Sequence, residues 1–388
     1  VWLDVLAGDF ASVDLLSRDI FKGNKTVAGF ISLIEGYRYF YQTGEFEKSI
    51  KMLKDCLQEL PEEDVLVREM SELILGLSLR YSGDLASSGD YLKKISLGDD
   101  IPILTAISYA DILLVTGKLS RALSFVDRII DSGRERYGEN LVPEYGYLYI
   151  MKGHILRERD DIGGALKACR KGLYLARNNE YVEIVFLGNL EYARILAADK
   201  NYADSERAMA VSIEAARASS AWAEFMSMAY KVRIEICKGN IGYAGELLEG
   251  MVDFSVTEVP YRQYFEYLSL CRYCLCKQET GRVHGITDAM IREDIPVKRA
   301  GRLIECYVLK AIAYYVELNM DQALETLGQA FLISEKEGQV RVYIDEGEPM
   351  QALFAEALKR GLLPDYLKKY VDGVKGGGRY PVGDDKRV

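Results

Sequence analysis

Histidine is almost missing from this chain. Only His154 and His284 occur in 388 residues, about 130 positions apart, and no nucleophile elbow or paired metal-protease histidines accompany them. An enzyme is therefore not expected. A phosphate loop is missing too. The nearest approach, Thr116-Gly117-Lys118-Leu119-Ser120, has Leu where that motif needs Ser or Thr. Basic excess is absent: 59 acidic and 49 basic residues leave a net charge of −10, which favours solubility and disfavours a grip on nucleic-acid phosphates. No apolar run is long enough to span a bilayer and no signal peptide opens the chain. The seven cysteines are odd in number and follow no disulfide framework, which reads as a reduced, cytoplasmic protein. Eight prolines among 34 glycines and 49% hydrophobic residues exclude disorder.

What the chain does contain is a recurring phrase. A small or polar pivot is followed by a large apolar residue two positions on, and by a small residue three positions further. It reads GDFASV at Gly8, GEFEKS at Gly44, GDLASS at Gly83, GKLSRA at Gly117, DDIGGA at Asp160, KNYADS at Lys200, GNIGYA at Gly239 and LNMDQA at Leu318. The gaps are 36, 39, 34, 43, 40 and 39 residues, then 79, two periods around a degenerate copy near Thr280. Such a period marks a helical solenoid, in which stacked units bury one another's faces.

The segment from Phe30 to Pro61 shows how one unit works. Phe30, Ile34, Tyr37 and Tyr41 share a helical face. Gly44 lets the backbone turn, Phe46 packs on the turn, and Ser49, Leu53 and Cys56 form the buried stripe of a second helix that ends at Pro61. The small position recurs as Ser49, Ser88, Ala122, Ala165, Ser205, Ala244 and Ala323, where two helices must cross closely. The apolar-glycine pair Leu75-Gly76, the Gly-Asp turns and the terminal proline resemble the tetratricopeptide repeat. That resemblance implies an all-α fold, a right-handed superhelix of tetratricopeptide-like hairpins, eight or nine of them with partial ones. Residues 1–372 are expected to form it, with a truncated first hairpin and a cap at 337–372, and residues 373–388, which include Gly376-Gly377-Gly378, to be a flexible tail. The chain does not begin with Met and only seven residues precede Gly8, so it is expected to be cut from a longer protein.

A more specific signature lies near the end. In FLISEKEGQVRVYIDEGEPMQALFAEALKRG, residues 331–361, the elements Glu337-Gly338, Arg341, Tyr343, Asp345-Glu346-Gly347 and Pro349-Met350 resemble the closing segment of the tetratricopeptide-like sensor region of MalT-type, large ATP-binding LuxR regulators. Tyr343 stands where that family usually has Phe. The resemblance implies an effector-sensing region whose ATP-binding and DNA-binding domains lie outside this chain, so no cofactor and no direct nucleic-acid contact are expected within it. Read on its own residues, Gly338 ends a helix, the alternation Val340, Val342, Ile344 predicts an extended piece, and Asp345 is placed to cap the helix that follows. A terminal cap that seals the last hairpin is the favoured role.

The pivots also locate an inner face. Six residues before them stand Arg38, Leu77, Asp111, His154, Arg194, Arg233 and Ile312, and three residues before them Tyr41, Arg80, Leu114, Arg157, Ala197, Ile236 and Tyr315. Arginine forks suit carboxylate, phosphate or sugar oxygens. Tyr147, His154, Arg157, Arg194 and Arg233 are the candidate ligand-binding residues. The alternative is that these arginines are solvated or pair with nearby acids such as Glu35, Glu158 and Glu191. Tyrosines at helical spacing (Tyr145, Tyr147 and Tyr149; Tyr261, Tyr264 and Tyr267) are read chiefly as core. Cys271, Cys274, Cys276 and His284 fall on helical sequence, where a four-ligand zinc site is not expected. A small effector in the concave groove is the leading expectation; a peptide held there by a plain scaffold is the other.

Overall fold

The computed structural model describes residues 25–95, 101–177, 181–219, 221–253, 259 and 263–371. The phrase at Gly8, Tyr261 and the glycine-rich tail lie outside them. The described residues are helical, without a strand among them. Sixteen helices alternate as first and second members of eight repeats: α1 Lys25–Arg38, α2 Phe46–Glu59, α3 Val65–Ser82, α4 Leu85–Ile95, α5 Ile103–Val115, α6 Leu119–Tyr137, α7 Tyr145–Glu158, α8 Ile162–Leu175, α9 Val182–Ala198, α10 Tyr202–Ser219, α11 Ala221–Lys238, α12 Ile241–Glu249, α13 Tyr264–Cys276, α14 Thr280–Val297, α15 Ala300–Val316 and α16 Met320–Ser334. Two short helices follow, α17 Arg341–Ile344 and α18 Glu348–Lys359. No described helix is long and apolar enough to cross a membrane.

The turn phrase has one backbone cause. Every described pivot is left-handed: Gly44 (φ 65°), Gly83 (103°), Gly117 (70°), Asp160 (66°), Lys200 (61°), Gly239 (85°), Gln278 (59°) and Leu318 (61°). A single left-handed residue after the first helix stops it and sends the chain back within two or three residues. The degenerate copy therefore turns at Gln278, two residues before the expected Thr280. This copy is degenerate because Thr280 stands where the other copies carry a large apolar residue. All seven small residues named above are wholly buried, as is Val283. The serines among them also donate to the facing first helix: Ser49 Oγ to Gly36 O at 2.8 Å, Ser88 to Gly76 O at 2.6 Å, and Ser205 to Ala193 O at 2.8 Å. This satisfies a hydroxyl at the point of closest crossing. Gly76 is needed for the same crossing, since a Cβ there would lie 2.7 Å from the Leu92 side chain.

The chain forms two compact units, residues 1–113 and 114–388. The first has its own core, with Leu33, Leu53, Cys56, Leu75 and Leu79 at its centre and Phe40, Phe46 and Tyr81 stacked beside its first turn. The second is held at its C-terminal end by a large core from Val232 to Leu367. Tyr145, Tyr149 and Tyr267 are buried, in keeping with their reading as core. Within this second unit the third turn approaches the eighth repeat: a Cβ built on Gly117 would lie 2.5 Å from Ala300 Cβ.

The segment after α16 departs from expectation in two places. The piece read as extended is one helical turn, α17. Val340 and Tyr343, three apart, both point inward, and that spacing won over the alternation. Nor does Asp345 cap the next helix. Gly347 takes the cap position of α18 at φ 77°, ψ −139°, a conformation suited to glycine, and Pro349 sits in the first turn. Gly338 does end the preceding turn of helix, at φ 66°. Tyr343 is wholly buried between Phe331 and Phe354. Its hydroxyl lies 2.5 Å from Ser334 Oγ, which lies 2.9 Å from Tyr366 Oη.

Candidate functional site

The first helices of repeats four to eight carry a row of buried charge. On α7, Arg157 Nη1 donates to Glu158 Oε1 at 2.7 Å. On α9, Arg194 donates to Glu191 Oε2 at 2.6 Å and reaches Glu158 Oε1 at 3.3 Å. His154 Nδ1 lies 3.2 Å from Arg194 Nη1 and 3.4 Å from Glu191 Oε2. On α11, Arg233 pairs with Glu305 of α15 at 2.8 Å and donates through Nε to Ser269 Oγ at 3.0 Å. Between these two groups stands Tyr230, with the guanidinium carbons of Arg194 and Arg233 each 4.6 Å from its ring centroid. That is cation–π distance on both counts.

Of the candidate residues, His154 and Arg194 are thus in direct contact, Arg157 joins them through Glu158, and Arg233 joins them through Tyr230. Tyr147 is not part of the cluster's bonding. It lies two turns of α7 before His154, packs beside Ile150 and Ile184, and donates to Glu183 at 2.9 Å. Glu158 and Glu191 are the partners that charge alone suggested. Arg38 and Arg80 belong to the first unit, where Arg80 pairs with Asp111.

One member of the row went unseen. Counting back six from Gln278, the true pivot of the seventh repeat, lands on Arg272. Its Nη1 lies 2.7 Å from Glu305 Oε1 and its Nε donates to Glu346 Oε1 at 3.0 Å. The row is therefore His154, Arg194, Arg233 and Arg272 at one register, with Arg157 one turn below. Reading the left-handed residue, in place of the glycine, as the mark of the turn would have found it.

The acids that answer this row respond to two opposed forces. Burial acts to raise Glu191, but Arg194 against it holds the carboxyl well below the usual range. Glu305 is likewise raised by burial and pulled down by Arg233 and then Arg272, to about 2. Glu266 on α13 has no close pair: burial pushes it up to about 7, with Arg233 opposing. Its Oε2 is buried without a hydrogen-bond partner, as are Glu191 Oε1 and Arg233 Nη2.

The C-terminal signature closes onto this row. Asp345 accepts from Arg157 and from Arg341, and Glu346 from Arg272. Arg341 also pairs with the pivot Asp160 at 3.0 Å and reaches Ala198 O at 3.4 Å. Val340 N donates to Glu158 O at 2.7 Å, taking up a carbonyl left over at the end of α7. Glu337 Oε2 accepts from Ser120 N at 2.6 Å, an anion at the start of α6, and Arg159 donates to Glu337 O at 3.1 Å and Ser120 Oγ at 2.6 Å. The segment is more than a seal on the last hairpin, since it ties repeats three, four, five and seven together. The stretch that resembled a phosphate loop is a repeat turn whose helix start is already filled by Glu337.

The cysteines form a separate, apolar feature. Cys271 and Cys306 are fully buried with their thiols pushed up by burial, and Cys274 is pushed up to about 11. His284 bonds Glu317 at 3.0 Å, and no group of metal-binding residues occurs among the described residues.

Residues 33–360 match the family model described as the MalT-like TPR region, which covers most of the chain, and the chain belongs to that family. No curated protein matches it.

Proposed function

We propose that this MalT-like TPR region is the effector-sensing domain of a LuxR-type transcriptional regulator. It binds a small molecule along the inner row of the second unit and couples that event to ATP-binding and DNA-binding domains of a longer cytoplasmic protein. The domain itself is not an enzyme and takes no cofactor. One observation carries this reading. The segment that resembles the end of such sensor regions meets the candidate groove directly, through Asp345 on Arg157 and Glu346 on Arg272. A molecule that contacts this row differently in two arrangements of the segment shifts the balance between them, and the shift is reciprocal with whatever the segment touches downstream.

A second reading has its own support. The repeats already take up a segment of the chain itself, with a backbone bond from Val340 to Glu158 and a side-chain bond from Arg341 to the turn at Asp160. A scaffold that binds a protein segment in place of a small molecule uses the same contacts. A thermal-shift screen of sugars, organic acids and peptides tests both. A ligand at a hundred times its dissociation constant adds about 2.7 kcal/mol of stability. The shift is expected from a small molecule and is expected to vanish in Arg194→Ala and Arg233→Ala. A shift from peptides alone favours the scaffold, and a shift indifferent to both substitutions rejects the site.

A further inference from the structure

We infer that Asp345 and Glu346 act as a built-in ligand of the groove, and that the groove's external ligand is a small organic dianion that competes with them for Arg157 and Arg272. The inference rests on the effector reading above and names the chemical class that reading leaves open.

Three observations lead to it. First, the wall of the row does not balance itself. Arg157, Arg194, Arg233 and Arg272 face Glu158, Glu191 and Glu305, so the first helices bring four guanidiniums against three paired carboxylates. Glu266, the other acid on the wall, is pushed towards neutrality by burial and does not make up the difference. Second, two further carboxylates come from neighbouring residues of a segment outside the helical wall: Asp345 reaches Arg157 of the fourth repeat, sharing its charge with Arg341 of the same segment, and Glu346 reaches Arg272 of the seventh. Two acidic groups on one short scaffold, reaching two arginines of different repeats, is the chemistry of a dicarboxylate or a phosphate ester. Third, Arg233 Nη2 is a buried donor without a partner in the same row, so the row offers an anion more than Asp345 and Glu346 take up.

Competition with an internal ligand makes an unusual demand on mutants. An intramolecular acid is present at high effective concentration and masks the site. Removing it must tighten binding of an external anion, whereas a residue with only a structural role would weaken binding or leave it unchanged. The probes are succinate and inorganic phosphate, with glucose as an uncharged control, titrated calorimetrically at low salt into the wild type, Glu346→Gln and the double variant Asp345→Asn, Glu346→Gln. Succinate or phosphate is expected to bind at least about tenfold tighter to the variants, a gain of one power of ten in the association constant. The gain is expected to disappear when Arg272→Gln or Arg233→Gln is added. Which of the two anions gains more separates a dicarboxylate from a phosphate ligand. Glu346→Gln alone keeps the test open if the double variant does not melt cooperatively. Anion binding that is unchanged or weaker in a folded variant overturns the inference, as does tightening that survives Arg272→Gln. Glucose or a peptide binding at the row while neither anion does so overturns this inference and leaves the effector reading standing.

Discussion

Glu266 and Glu305 are both largely buried carboxyls on first helices of the second unit, and both lie near Arg233, yet they are driven in opposite directions. Glu305 touches two guanidiniums and is held at about 2; Glu266 touches none closely and rises to about 7. The difference is one of contact geometry, because burial acts upward on both. It has a consequence for stability. Glu266 binds its proton more tightly folded than unfolded, so the native state gains stability at low pH and loses it as pH rises from the ordinary carboxyl range, near 4.5, through about 7. Glu266→Gln keeps the shape and removes the charge. It is expected to melt with the wild type near the acid end of that window and to exceed it above the window, on the order of 3 kcal/mol at full ionisation. Thermal melts across the window check this, and a constant offset at every pH refutes it. Glu305 has the opposite sign: its contribution is present above about pH 4.5 and is lost on acidification towards 2.

At the scale of the repeat, the controlling feature is the left-handed pivot. Four pivots are not glycine: Asp160, Lys200, Gln278 and Leu318. An L-residue held there is disfavoured by roughly 1–2 kcal/mol against glycine. Leu318→Gly is therefore expected to stabilise the domain by about 1 kcal/mol, since the leucine is 60% exposed and gives up little burial. Gly239→Ala is expected to cost a similar amount through backbone strain alone, because a Cβ there meets nothing within 4 Å. Denaturant melts of both variants decide whether the pivot or the side chain sets the turn. These turns also explain how much could be read from the chain. Seven of the eight described pivots stand out because local backbone geometry and close helix crossing select residue types at fixed spacing. The one at Gln278 does not, because Thr280 replaces the large apolar residue that follows every other pivot, and the register of Arg272 is obscured with it. Asp345, by contrast, is a helix cap by every local rule. Besides Arg341, four residues before it, its partner is Arg157, 188 residues away, and no local pattern encodes a contact that arises from how successive repeats wind past one another. Tyr147 lies two turns before His154, as a seven-residue spacing on one helix requires, but its bond to Glu183 follows from packing that spacing alone does not specify.

At the scale of the second unit, the ties between its early repeats and its last are polar. Glu337 to Ser120 and Arg159, Val340 to Glu158, Arg341 to Asp160 and Asp345 to Arg157 span this seam. The large core cluster, from Val232 to Leu367, includes no residue of α6 to α9. Gly117 also approaches Ala300 across the seam, closely enough that a Cβ on it would lie 2.5 Å from Ala300 Cβ. A seam of this kind is more sensitive to salt than the hairpins beside it, whose stability comes from apolar burial. Two amides report on it directly, Ser120 bound to the Glu337 carboxylate and Val340 bound to the Glu158 carbonyl. Between about 0.01 M and about 1 M salt the screening length falls from ~30 Å to ~3 Å. Hydrogen exchange at Ser120 and Val340 is expected to speed up over that range, while amides at the wholly buried crossings Ala165 and Ala323 hold their rates. Gly117→Ala is the steric counterpart. It carries the same backbone strain as Gly239→Ala and adds a Cβ 2.5 Å from Ala300 Cβ, so it is expected to cost more than Gly239→Ala, about 2 kcal/mol or above. It is also expected to release the two seam amides at low salt. If Gly117→Ala and Gly239→Ala lose equal stability, and if all four amides respond to salt together, the second unit unfolds as one body and the seam has no independent equilibrium.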